Sequence, residues 1–283
     1  MRKLINYLLA AAALGSMSVV ILILGGLIIV IAQKGLPAIS WSFLSSGMKQ
    51  AGASGGIIWH LVGTLLLITT AWLITSPLSL SLALLQQVWL DKKGRWSQAL
   101  RLFFYTCNGV PSIVFGLFGF MIFVQYFNWG KSWLVGGIVL AMSMLPTVTL
   151  AIMERMEAIP AKYLEASAAL GLSKTQVVWS VILPQSLTGL ATGSLLALAR
   201  AAGETAPIMF TATIFAGATF PDGIRENPVL TLPYHIFILA QDSFDPAMGP
   251  QLWGSALVLI ALVATLSLLA LPLRLIMHEE SHD

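Results

Sequence analysis

The sequence predicts an all-α integral membrane protein, and three observations carry that prediction. Hydrophobic residues fill 57% of 283 positions and charged residues only 10%, against roughly 25% charged in an ordinary soluble domain. Six apolar runs are each long enough to cross a hydrocarbon core, which takes about 20 residues. Lys and Arg are divided unequally between the loops that join those runs, as an oriented membrane protein requires.

Taken in order, the runs lie near 8–32, 57–85, 102–124, 133–153, 183–217 and 253–277. Arg2 and Lys3 precede the first run as they would precede a signal peptide. Its apolar stretch is about twice a signal's 7–15-residue core, so it is read as a retained helix. With the N-terminus inside, the inner side carries Arg2, Lys3, Lys92, Lys93, Arg95, Arg101, Arg155, Lys162, Lys174 and Arg274. The outer side carries Lys34, Lys49, Lys131 and Arg225, and Arg200 is left within the membrane. Positive residues favour the cytoplasm, so both termini are placed there. The chain divides into a first helix with its outer loop (1–54), a transmembrane domain (55–277) containing a cytoplasmic loop (154–183), and a short tail (278–283).

The cytoplasmic loop is punctuated for two short helices. Pro160 suits a first helical position, having no N–H to lose there. Residues 162–170 can continue the helix, and Gly171 supplies a left-handed stop. Ser173 followed by Gln176 is a capping-box pattern that starts a second helix, carrying Val177, Val178, Val181 and Ile182 toward Pro184. A rigid pair of this kind between two spans can push on both. By pattern alone it serves equally as a connector packed on its neighbours.

The fifth run contains Arg200 and Glu204, four residues apart and so on one helix face. Each charge near the bilayer centre costs roughly 2.5–3.5 kcal/mol, and residues kept at that cost are usually functional. Thr188 and Thr192 continue the polar line, while Gly189, Gly193, Ala197 and Ala201 form a small-residue stripe that lets another helix come close. Pro207 opposes the Gly203 carbonyl and predicts a kink just beyond the charges. The run is also too long for one straight crossing, about 35 residues or ~52 Å, so a tilted, bent or broken helix follows. Structurally, the two charges can simply neutralise each other. Functionally, Arg200 offers a permanently charged planar fork to a crossing oxyanion, with Glu204 holding that fork and keeping the empty path near neutral.

Two sets of residues are familiar. Glu165-Ala166-Ser167, Gly171 and Val181-Ile182-Leu183-Pro184 keep the spacing of the EAA loop of ABC-importer permeases, which they resemble, with Ser167 for an Ala and Val181 for an Ile. The stretch 199–207, containing Arg200, Gly203, Glu204, Thr205, Ala206 and Pro207, closely resembles the signature of PstA-type phosphate permeases. The segment Asn108-Gly109-Val110-Pro111-Ser112 and the residues Gly55, Gly56 and Gly63-Thr64 are similar to that family's transport domain, so the likeness runs from about Gly55 to Leu273. Ala206-Pro207 favours the PstA type over its PstC-type sister.

The resemblance implies a type I ABC-importer permease fold and a heterodimer with a PstC-like permease. It further implies two cytoplasmic ATPase subunits and an extracytoplasmic phosphate-binding protein, all in or at the cell's inner membrane. It gives Arg200 and Glu204 to the substrate pathway; Thr205 beside them and the polar line of Thr188 and Thr192 are read as part of the same path, and Gly203 with Pro207 as the helix kink. Glu165, Ala166, Ser167, Gly171, Leu183 and Pro184 fall to the ATPase coupling loop. The chain itself would catalyse nothing and hold no cofactor. Rivals are a permease for sulfate or molybdate, and a non-transporting membrane scaffold or sensor subunit.

Other signals are weaker. His60, His235, His278 and His282 are scattered rather than set at ligand spacing, which argues against a metal site. Gly130-Lys131-Ser132 ends a near match to a phosphate-binding loop, but Gln125 replaces its first Gly and an apolar span, not a strand, precedes it. Glu154, Arg155 and Glu157 read as a solvated helix end. No basic stripe marks a nucleic-acid module. The outer stretch 220–252, with Asp222, Glu226, Asp242, Asp245 and an apolar segment at 232–240, fits either an interfacial shield or a docking surface.

Overall fold

The computed structural model describes residues 2–91, 94–241 and 248–279. Lys92, Lys93, Asp242, Asp245 and the tail from Glu280 lie outside the described residues. Helix α1 (Arg2–Gly35) leads into a short α2 (Trp41–Ser45), whose first turn is capped by the Ser40 hydroxyl accepting from the Phe43 N–H. A two-residue hairpin, β1 (Met48–Lys49) with β2 (Ser54–Gly55), then turns the chain back toward the membrane. Helix α3 (Ile58–Leu84) continues through a wider turn to Trp89. Helices α4 (Arg95–Asn108) and α5 (Ser112–Gly119), the latter extended to Tyr126, follow.

The remaining helices are α6 (Trp133–Glu157), α7 (Ala161–Ala169), α8 (Lys174–Val177), α9 (Leu183–Gly203), α10 (Ala206–Thr211), α11 (Leu232–Gln241) and α12 (Met248–Glu279). Among the described residues, five helical stretches are long and apolar enough to cross a membrane, and the α4–α5 pair makes a sixth if counted as one bent span.

The core forms where α6 packs between α3 and α9. Small residues set the approach. A Cβ on Gly193 would lie 2.8 Å from the Ala151 Cβ, and one on Gly189 2.8 Å from the Arg155 Cβ, so the small-residue stripe of the fifth run does face α6. Helix α12 packs against α9 and α1 in turn against α12. Helix α1 is otherwise exposed along its apolar length, the state expected of a helix whose solvent is lipid.

Two expectations change. The third run is no straight span: α4 and α5 meet at 97°. Pro111 disfavours helical backbone at Val110 before it, and Gly109 ends α4 with its N–H on the Thr106 carbonyl at 3.0 Å. The fifth run is broken, one of the outcomes its length allows, but the break does not fall where Pro207 predicts a kink. Helix α9 stops at Gly203, Glu204 is extended (φ −72, ψ 122), and a new helix starts at Ala206. Pro207 sits in the first turn of α10, where its missing N–H removes no helical hydrogen bond. The break therefore falls on the glutamate, not beyond it.

Candidate functional site

Arg200 occupies the last turn of α9, where the exposed carbonyl end of the helix favours a cation. Its Nε lies 3.3 Å from Glu204 Oε1. The pairing predicted from four-residue spacing forms even though Glu204 has left the helix. The pair is not sealed within this chain: the Arg200 side chain is 49% exposed and that of Glu204 15%. The pair therefore lies on an open face of this chain.

That face holds a narrow, shallow cleft lined by Ser143, Met144 and Thr147 of α6 and by Ala197, Arg200, Ala201 and Glu204. The Thr147 hydroxyl donates to Asn108 Oδ1 at 2.8 Å, so the corner between α4 and α5 is tied to the α6 wall of the cleft. Beyond the corner, α5 presses on α10. A Cβ on Gly116 would lie 2.7 Å from the Pro207 Cα. Three elements thus converge on the break: the end of α9, the polar strip of α6 and the bent pair.

The other predicted residues are placed as follows. Thr188 is half-buried, accepts from Arg155 Nε at 3.2 Å and donates to the Gln185 carbonyl at 2.8 Å. Thr192 is buried, with its hydroxyl on the Thr188 carbonyl at 2.8 Å. Neither lines the cleft. Thr205 lies at the break, and its carbonyl opens α10 by accepting from the Met209 N–H. Ser143, Thr147 and Asn108 were missed as a group by sequence reasoning, although Ser143 and Thr147, four apart in an apolar run, were a legible polar strip. The end of α10 is braced by Lys131, whose Nζ donates to the Met209 carbonyl at 3.0 Å.

At the opposite end of α9 the predicted knuckle forms. Pro160 precedes α7 as its cap rather than entering it. Gly171 is left-handed (φ +69), a backbone that suits Gly because it lacks a Cβ. Both arms of the Ser173–Gln176 capping box are present. Ser167 is buried, its hydroxyl satisfied by the Tyr163 carbonyl at 2.7 Å, which explains how a serine replaces alanine here. Glu165 and Ala166 are exposed, as are Tyr163, Leu164 and Leu170. Leu183 and Pro184 begin α9, which is continuous with α8 from Lys174 to Gly203.

The described residues contain no group of three or more potential metal ligands. Two histidines distant in sequence do meet: the rings of His60 and His235 lie with centroids 4.0 Å apart, tilted 38° to each other. At the last turn of α6, Glu157 accepts from Arg101 and from Gln87, the latter at 3.0 Å. It ties α3, α4 and α6 together rather than solvating a helix end.

Residues 76–278 match the family described as the binding-protein-dependent transport system inner membrane component. The phosphate transport system permease protein PstA 2 of Mycobacterium tuberculosis is 31% identical over 257 residues, 87% of this chain and 83% of that protein. The phosphate transport system permease protein PstA of Pasteurella multocida is 29% identical over 240 residues, covering 84% and 82%. Among solved structures, an inward-facing form of the MetNI methionine ABC transporter matches with a TM-score of 0.59 at 15% identity, over 77% of this chain and 94% of that one. This structural likeness speaks to the fold alone. With the family match covering most of its length, the chain belongs to the inner membrane components of binding-protein-dependent transport systems.

Proposed function

We propose that this chain is the transmembrane permease subunit of an ATP-driven importer of inorganic phosphate, forming half of the translocation pathway. One observation carries the proposal: a guanidinium and a carboxylate stand at a break in a membrane helix, on an open face lined by hydroxyls. Irregular backbone and charge at membrane depth are tolerated where they line protein or a water-filled path. The relatives whose names specify phosphate support the choice of cargo.

The open face of Arg200 would be completed by a PstC-like sister permease, so that the pathway runs along the seam between them. An extracytoplasmic phosphate-binding protein delivers the anion, and two cytoplasmic ATPase subunits receive the knuckles. The chain does no chemistry itself. Its exposed Tyr163, Leu164 and Leu170 suit a partner's cleft, because apolar groups gathered at a surface mark contact sites. The 30-residue rod from Lys174 to Gly203 is about 45 Å long at 1.5 Å per residue. It starts at the knuckle and ends at Arg200, so a push on α8 arrives at the anion site. Both termini lie in the cytoplasm in this arrangement.

Arg200→Gln is the test. The variant should assemble with its partners and lose phosphate uptake. Normal uptake by a well-assembled variant would remove Arg200 from the pathway and the proposal with it.

A further inference from the structure

The cleft beside Arg200 contains two hydroxyls, and both have already given their protons away. Ser143 donates to the Leu140 carbonyl at 2.8 Å and Thr147 to Asn108 Oδ1 at 2.8 Å. A hydroxyl has one proton to give and keeps its oxygen as an acceptor. Glu204 is an acceptor as well, and its bond to Arg200 engages Oε1 at 3.3 Å out of about four lone-pair positions on a carboxylate. The wall facing an incoming anion is therefore mixed in one specific sense. Arg200 donates; Ser143, Thr147 and Glu204 accept.

Such a wall discriminates by proton content. Near neutral pH, inorganic phosphate keeps at least one proton on oxygen, whereas sulfate and molybdate keep none. A protonated oxyanion gives Arg200 its ionised oxygens and gives its O–H to an acceptor. A fully ionised one sets lone pairs against lone pairs, and an acceptor left unpaired in a desolvated site costs affinity. Ser143 is locked by its own helix. Thr147 is locked from outside, by an asparagine at the corner of the bent pair, so Asn108 decides whether Thr147 can turn and donate.

We infer that Thr147, held as an acceptor by Asn108, is a specificity residue that reads the proton on the transported oxyanion together with Glu204. This rests on the reading of the Arg200 face as a phosphate path. It extends that reading by assigning selectivity to the permease itself, with Asn108 as a positioning residue.

The test uses the complete permease–ATPase complex in lipid nanodiscs without the binding protein, so that the selectivity read is that of the membrane site. Labelled phosphate is bound and then displaced by arsenate, sulfate or molybdate. In the wild type, arsenate, which also keeps a proton, should compete within about threefold of phosphate. Sulfate and molybdate should be at least about tenfold weaker, the low end of what one mispaired group costs. Thr147→Val should weaken phosphate about tenfold and leave sulfate unchanged. Asn108→Ala should narrow the gap between phosphate and sulfate by raising sulfate competition relative to phosphate, because the freed hydroxyl can then donate.

Equal displacement by sulfate and arsenate in the wild type would overturn the inference while leaving phosphate transport standing. So would a Thr147→Val complex with unaltered phosphate affinity and selectivity. A wild-type complex that binds no phosphate would instead remove the underlying pathway.

Discussion

At its Lys174 end the Lys174–Gly203 rod is shaped by bonds between near neighbours, and at its Gly203 end by parts of the chain far away in sequence. The knuckle holds itself. The capping box spans Ser173 to Gln176, and the Ser167 hydroxyl returns to Tyr163 in its own helix. The break at Glu204 has its ion pair to Arg200 as local support, and otherwise leans on α5 through Gly116 and on the α4 corner through Asn108 and Thr147. The difference suits a machine. A self-supporting end can be pushed without losing shape, whereas an end supported from elsewhere changes shape when its supports move.

The largest expected effect comes from removing a support of the break. Gly116→Val places a side chain where even a Cβ would sit 2.7 Å from the Pro207 Cα and 3.0 Å from the Ala206 carbonyl oxygen. Both are backbone atoms, so α5 or α10 must move. Overpacking of this kind costs about 1–3 kcal/mol. Phosphate uptake should be lost and the thermal midpoint of the purified complex lowered by several degrees. Uptake at wild-type rates would show that α5 does not hold the break.

A substitution at the knuckle should act in the opposite manner, sparing the chain and breaking its partnership. Nothing lies within 4 Å of a Cβ built on Gly171. The cost within the chain is the left-handed backbone, about 1–2 kcal/mol for a residue with a Cβ. Gly171→Glu should therefore insert and fold, fail to retain the ATPase on co-purification, and transport little. Gly171→Ala, with the same strain and little bulk, should retain the ATPase. If both variants bind it equally well, the knuckle is a connector and the first comparison loses its functional meaning.

The same division explains what was legible in the sequence. The knuckle could be read because its determinants lie within a few residues: Gly171 for the stop, Ser173 and Gln176 for the start. Five of the six spans follow from apolar length. Arg200 and Glu204 were legible because charge in an apolar run is conspicuous and four-residue spacing is local. The 97° corner was not, since Gly109 and Pro111 weaken a helix without saying how far it turns. The position of the break was missed by a few residues, because Pro207 is equally at home as a kink or as a first turn, and packing of α5 against α10 decides which. Asn108 and Thr147, like His60 and His235, become neighbours only through tertiary packing.

The smallest effect is expected at that histidine pair, where α11 is held against α3 by side chains far apart in sequence. Helix α11 is not one of the apolar spans. His235 on it is buried, between the His60 ring of α3 at 4.0 Å and the Phe215 ring at 6.3 Å. Burial holds its imidazole neutral by lowering the pKa from 6.5 to about 4. In the unfolded chain the same group takes up its proton near its ordinary value. Between those two values the unfolded state binds more protons than the folded one, so stability falls as pH drops through that window. Above about pH 6.5 the destabilisation is absent; by pH 4 it is on the order of 1–3 kcal/mol. Hydrogen exchange across Leu232–Gln241 should accelerate on going from pH 7.5 to pH 5, after correction for the intrinsic pH dependence of exchange. His235→Phe should flatten the change. The knuckle at Ala161–Ala169, which contains no histidine, serves as the internal reference. Equal protection of α11 at both pH values would mean that the imidazole finds a partner for its proton without opening the clasp, and that this end, too, supports itself.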